Sequence, residues 1–132
     1  MKHVASDERG TRVVLRDVFA DFSPAEHGDF RPLHPGVDIL PLYGHEEGAP
    51  ANGPAAALLR YQPGASVPEH EHAGYEHIFV LSGSQRDEAG LYPRGSCVIN
   101  PPGTRHAVKS DEGCLVLAIW NRPVVFLKGG AP

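Results

Sequence analysis

The sequence predicts an all-β chain, built as a sandwich, jelly roll or barrel, and three observations carry that reading. Glycine (15) and proline (13) are abundant among the 132 residues and are scattered rather than clustered. That distribution suits many short strands joined by tight turns. Apolar residues fall in short runs between those turn signals, and no span sustains the 3.6-residue apolar period of an amphipathic helix.

Taken in order, residues 12–19 read as an opening strand. Residues 21–35 hold prolines and mixed polarity and read as irregular, with one helical turn after Ser23-Pro24. Residues 37–43 form an extended strand broken at Pro41, and 44–54 form a loop of Gly, Pro and Ala. Residues 55–62 are a strand by context, although their alanines suit a helix on propensity alone. Pro63-Gly64 ends that strand with a turn. Further strands are expected at 67–71, 76–82, 85–88, 96–100, 106–108, 114–121 and 124–127. In the strand at 76–82, Glu76, Ile78 and Val80 share one face and His77, Phe79 and Leu81 the other. Both faces are largely apolar, so the strand is buried on both sides. One side looks into the barrel, and the other needs a cover from the N-terminal strands or a second subunit.

Composition narrows the function classes. The length suits one domain, taken here as residues 1–132, with a barrel core at about 55–127 and N-terminal strands within 12–43. The net charge of -4 and the absence of a Lys/Arg stripe argue against nucleic acid. No apolar run approaches the roughly 20 residues of a membrane span. Residues 1–11 are polar and lack a signal peptide's apolar middle, so a cytoplasmic protein without membrane contact is expected. Two cysteines, Cys97 and Cys114, are too few for a disulfide framework and read as small buried hydrophobes.

Half of the eight histidines (His70, His72, His77 and His106) lie between positions 70 and 106. In a strand, residues i and i+2 share a face, so His70 and His72 project their imidazoles the same way, about 6–7 Å apart. A turn at Ala73-Gly74 reverses the chain into a hairpin and brings Glu76 to the same interior. His106, just after the rigid Pro101-Pro102-Gly103 turn, supplies a fourth group. Glu76 precedes Ile78-Phe79-Val80-Leu81 and would be costly to bury there unless paired or metal-bound. His77 faces away and reads as a packing or interface residue. His3, His27, His34 and His45 read as surface or loop residues, and Arg60 and Arg105 as surface arginines rather than anion-binding groups. For Cys97, parity leaves two arrangements: Cys97 and Ile99 face inward, or Val98 and Asn100 do.

At this point the sequence resembles the cupins. Gly64, His70, His72, Glu76 and Gly83 sit at the spacing of the first cupin motif, and Gly95, Pro101, Gly103 and His106 at that of the second. The family's terminal Asn falls on Ser110. The resemblance spans roughly residues 55–127 and implies a double-stranded β-helix, the cupin jelly-roll barrel, with its metal near one end. More narrowly, Asp87-Glu88 before Gly-Leu-Tyr-Pro, Asn100-Pro101-Pro102-Gly103 and residues 110–114 are similar to the cupin half of ChrR-type anti-sigma factors and their stand-alone relatives. Those anti-sigma factors grip the sigma factor with an N-terminal helical zinc domain. Residues 1–11 offer no counterpart, so a sigma factor is not expected as a partner.

Three imidazoles and one carboxylate suit Zn, Fe, Mn, Ni or Co alike. Tetrahedral zinc would be filled by four side chains, whereas octahedral iron or manganese would keep two positions open. Two functional classes follow. One is a small-molecule metalloenzyme of dioxygenase type acting on a diketone or hydroxyketone. The other is a non-catalytic ligand- or redox-sensing cupin, as the ChrR-type resemblance implies. A storage or purely structural cupin has no specific feature in its favour. A homodimer is expected from the two-sided apolar strand.

Overall fold

Ten strands and one short helical turn occupy residues 12–127, the span described by the computed structural model. The strands are β1 (Arg31–His34), β2 (Val37–Tyr43), β3 (Ala55–Tyr61), β4 (Ser66–Glu71), β5 (Glu76–Asp87), β6 (Gly90–Pro93), β7 (Cys97–Asn100), β8 (Arg105–Lys109), β9 (Cys114–Trp120) and β10 (Val125–Phe126). All pairings are antiparallel, and they divide between two faces of a curled sheet. One face runs β1-β2-β3-β9-β5-β7. The other holds β6 and β8 against the far half of β5, then β4 and β10.

The joint between the two faces is β5. Its register against β9 shifts between Val80 and Ser82, so Val80 and Leu81 are both buried instead of alternating. Such a bulge bends a strand and strengthens its twist. Gly83 follows at φ 73°, and a Cβ there would stand 2.0 Å from the Gly113 carbonyl oxygen. Only glycine combines that backbone angle with so close an approach.

Inward side chains form the barrel core: Val37, Ile39, Ala57, Leu59, Tyr61, Val67, Ile78, Val80, Val108, Val116 and Ala118 are all buried. Outside the first face lies a smaller cluster of Leu40, Leu58 and Leu81, against which Val18, Phe22, Phe30 and Phe79 pack. The N-terminal segment is therefore part of the cover that the two-sided strand requires. Burying a leucine such as Leu58 contributes about 1.5–3 kcal/mol. The alanines of β3 are strand residues because Ala56 and Ala57, almost wholly buried, lie between β2 and β9. Tertiary packing outweighs their helical propensity.

Several expectations need correction. Residues 12–19 form no strand: burial alternates from Val13 to Arg16, but the segment joins no ladder and ends in a turn at Asp17. The helical turn after Ser23 is present as a 3-10 turn, Pro24–His27, yet the same segment also holds β1. Residues 76–82 and 85–88 belong to one strand, because Gly83 accommodates a bend rather than a chain reversal. Gly90–Pro93 is a strand of its own, β6. Neither do β4 and β5 form a hairpin: β4 pairs with β8 and β10, so the chain between them turns a corner from one face to the other. Cys97 is exposed while Cys114 is buried. Val98 and Asn100 are thus the inward pair on β7. His34 is buried, with its ring 5.3 Å from that of Phe126. His3 lies outside the described residues.

Candidate metal centre

The corner between β4 and β5 brings the site together. His70, on β4, is the cross-strand partner of His106 on β8. His72 lies just past the end of β4, and its backbone is fixed at both groups. Its N–H donates to the Thr104 carbonyl at 2.9 Å, and its carbonyl accepts from Gly103 at 2.8 Å. Glu76 opens β5 beside Trp120 of β9 and Asn100 of β7.

All four side chains are buried, and one donor atom from each lies within 4.8 Å of the other three. Ring centroids are 5.2 Å apart for His70 and His72, and 4.7 Å apart for each of those rings and His106. Donors about 2.1 Å from a shared ion stand up to about 4.2 Å apart, so rotamer-scale adjustment closes the set around one ion.

The surrounding hydrogen bonds orient each donor. His70 Nδ1 donates to the Pro68 carbonyl at 2.8 Å. His72 Nδ1 meets Thr104 Oγ1 at 2.9 Å, and that hydroxyl donates to the Pro101 carbonyl at 2.6 Å. The threonine oxygen must then accept from the imidazole. His106 Nδ1 donates to Asp87 Oδ2 at 2.9 Å. With each Nδ1 protonated, the Nε2 lone pairs are free for the centre. The Nε2 atoms of His72 and His106 are buried without a hydrogen-bond partner. Such orphaned atoms are uncommon and call for an occupant. His72 Nε2 lies 2.9 Å from Glu76 Oε1, so two of the four donor atoms face each other across the site.

Glu76 accepts from Asn100 Nδ2 at 3.0 Å through Oε1 and from Trp120 Nε1 at 2.7 Å through Oε2. Burial alone would push its carboxyl up, but His72, His106 and Trp120 hold it below the usual glutamate range. Burial also lowers the His70 value, which favours the neutral, ligating form. The donor set, the tautomers and the orphaned Nε2 atoms together fit a divalent cation.

Above the cluster the barrel encloses a cavity of about 480 Å³. His70, Glu76, His106 and Trp120 line one end, and residues of the 44–53 loop form its lip. His77 is on the opposite face of β5, paired with Ile99 and Ile119. Arg60 is a surface residue bonded to Asp38 and stacked over Phe30, and Arg105 pairs with Glu71 at the surface. Ser110, at the cupin Asn position, is wholly buried and donates to the Ser84 carbonyl at 2.6 Å. Ligand spacing alone does not mark Asn100, Thr104 and Trp120, although each bonds to a member of the cluster. The available signal was Asn100 and Thr104 flanking the Pro-Pro-Gly turn.

Residues 20–123 match the model of the ChrR cupin-like domain. The chain belongs to that family. Among relatives of this ChrR-like cupin, the anti-sigma-E factor ChrR of Cereibacter sphaeroides is 35% identical over 80 residues, covering 58% of this chain and 38% of ChrR. The ChrR-like cupin thus aligns with less than half of that relative. The crystal structure of Rhodobacter sphaeroides SigE in complex with the anti-sigma ChrR aligns with a TM-score of 0.60 and 30% identity, over 70% of this chain and 49% of the matched chain. An acetylacetone dioxygenase from Acinetobacter johnsonii aligns with a TM-score of 0.68 over 99% of this chain and 85% of that one, at 17% identity. This last likeness is one of fold alone. A relative crystallised with a sigma factor does not fit the expectation that a sigma factor is not a partner. No helix among the described residues is long and apolar enough to cross a membrane.

Proposed function

We propose that His70, His72, Glu76 and His106 hold one divalent metal ion, and that this ChrR-like cupin is a small-molecule metalloenzyme of dioxygenase type acting on a diketone or hydroxyketone. The observation that carries this reading is the cavity of about 480 Å³ ending on His70, Glu76 and His106, which brings a small molecule up to three of the four donors. Among Zn, Fe, Mn, Ni and Co, iron or manganese suits the reaction. Either would polarise paired substrate oxygens in positions the protein leaves open. The chain's own residues fix the site: Thr104 and Asp87 hold two imidazoles in one tautomer, and Asn100 and Trp120 orient the carboxylate. Metal-loaded protein, screened for oxygen consumption with diketones and hydroxyketones, tests the reading. Turnover that disappears in His106→Ala is the expected result. A metal-replete protein that consumes no oxygen with any of them would overturn it.

Similarity to the anti-sigma-E factor ChrR, 35% over 80 residues, favours a second reading. In it the barrel is a ligand- or redox-sensing module of a regulatory system, with a sigma factor as partner. A pull-down with the host's extracytoplasmic-function sigma factors separates the two: stoichiometric retention of one places regulation ahead of catalysis. The unpaired thiols of Cys97 and Cys114 suit a cytoplasmic setting in either case.

Two further expectations arise here. Asp87→Asn keeps the shape of the side chain but removes the charge beside His106, and should weaken metal binding by roughly 10- to 100-fold. Competition against a chromogenic chelator measures this. We also propose a homodimer through the uncovered outer face near Ile99, which is 54% exposed beside His77. Light scattering at micromolar concentration should give twice the chain mass, and a monomer mass would contradict it.

A further inference from the structure

The cavity has two chemically distinct ends. On the inward face of β3, Ala55 sits beside Trp120 at the cluster end, while Tyr61 pairs with Cys114 at the other. Tyr61 and Gln85 are both buried, and both line the cavity. Gln85 lies beside Tyr61 at this end, and burial raises the Tyr61 hydroxyl well above its ordinary pKa, so it stays protonated. Its own proton is then available to a ligand. Between the two ends the walls are apolar, with Ile39, Leu59, Ile78 and Val108. Among the described residues lining the cavity there is no lysine or arginine, and Glu46 stands at the lip. A second anionic group on a ligand would meet low dielectric without a counter-charge, at a cost of several kcal/mol.

We propose that the cavity binds an uncharged, largely apolar molecule, with its keto or hydroxyl oxygens at the four-residue cluster and a hydrogen-bond acceptor at its far end received by Tyr61 beside Gln85. This deepens the metalloenzyme reading and rests on it for the near end only. The far end is a claim about Tyr61 and Gln85 that can be read separately.

Three related probes test it: 1-phenylbutane-1,3-dione and its 4′-hydroxy and 4′-carboxy derivatives, substituted para on the phenyl ring, titrated calorimetrically into metal-loaded and metal-free protein. The hydroxy derivative should bind roughly three- to tenfold tighter than the parent, the worth of one hydrogen bond. The carboxylate should bind at least roughly tenfold weaker. Tyr61→Phe should reduce the hydroxy preference to near parity with metal content unchanged. Gln85→Met, which keeps the volume, should reduce it in the same direction and serves as the test if the tyrosine variant fails to fold. Equal binding of the carboxylate, a hydroxy preference that survives in the folded variants, or binding of none of the probes overturns the proposal. Discrimination that persists in protein unable to take up metal would sustain the far-end assignment and remove the metal centre instead.

Discussion

Glu76→Gln should lower metal affinity by roughly a hundredfold or more, whereas His77→Ala should leave it within about twofold. The two residues are neighbours on β5, so the contrast tests strand parity directly. Glu76 is buried within the donor set, and both of its oxygens accept hydrogen bonds, one from Asn100 and one from Trp120. The amide loses the negative charge and must also turn its NH2 toward one of those two donors. Leaving a buried donor unpaired costs about 1–3 kcal/mol on its own. His77 lies across the strand beside Ile99 and Ile119, so its loss should show in stability or assembly. Metal content after exhaustive dialysis decides the matter, and equal loss in both variants would refute the assignment.

The largest effect on stability is expected at Gly83. Gly83→Ala puts a methyl group 2.0 Å from the Gly113 carbonyl oxygen and 2.8 Å from the Cys114 Cα, at a residue whose φ is +73°. Backbone must move on β5, on β9 or on both. The left-handed angle costs roughly 1–2 kcal/mol and the overpacking roughly 1–3 kcal/mol more. Together they should lower the melting temperature by about 7–18 °C in a domain of this size. Gly64→Ala provides the comparison: its φ is +85°, but nothing lies within 4 Å of the added methyl group. It should lose only the conformational part, about 1–2 kcal/mol. Urea denaturation of the pair would separate the steric cost from the conformational one. Equal losses would show that the approach of β5 to Gly113 is not what Gly83 protects.

The strand inventory was largely legible because glycine and proline mark the turns locally. What remained hidden depends on distant partners. Gly83 looks like a turn until β9 is seen passing against it, so one long strand reads as two. Burial alternates from Val13 to Arg16 as it does in a strand, yet no neighbouring strand edge pairs with the segment. The four clustered side chains could be read from i, i+2 spacing and the second motif. The corner that joins them could not, since strand pairing between faces leaves no local trace. His34 illustrates the same limit: polarity suggested the surface, but packing against Phe126 buries it. Asp87 stood out in the sequence as part of a family signature. Its task became visible only once β5 and β8 were seen to run together.

Because β5 crosses from one face to the other, it carries Glu76 at its first residue and, at its last, Asp87, the carboxylate that holds His106. Fraying at either end therefore dismantles the same centre. In hydrogen-exchange terms, the amides of this strand should open only with the whole barrel. An ion bound to the folded state alone raises the free energy of that opening, by about 4 kcal/mol at a thousand times its dissociation constant. Protection gained on metal loading should thus spread along the full strand, as far as amides of β6 that touch no ligand.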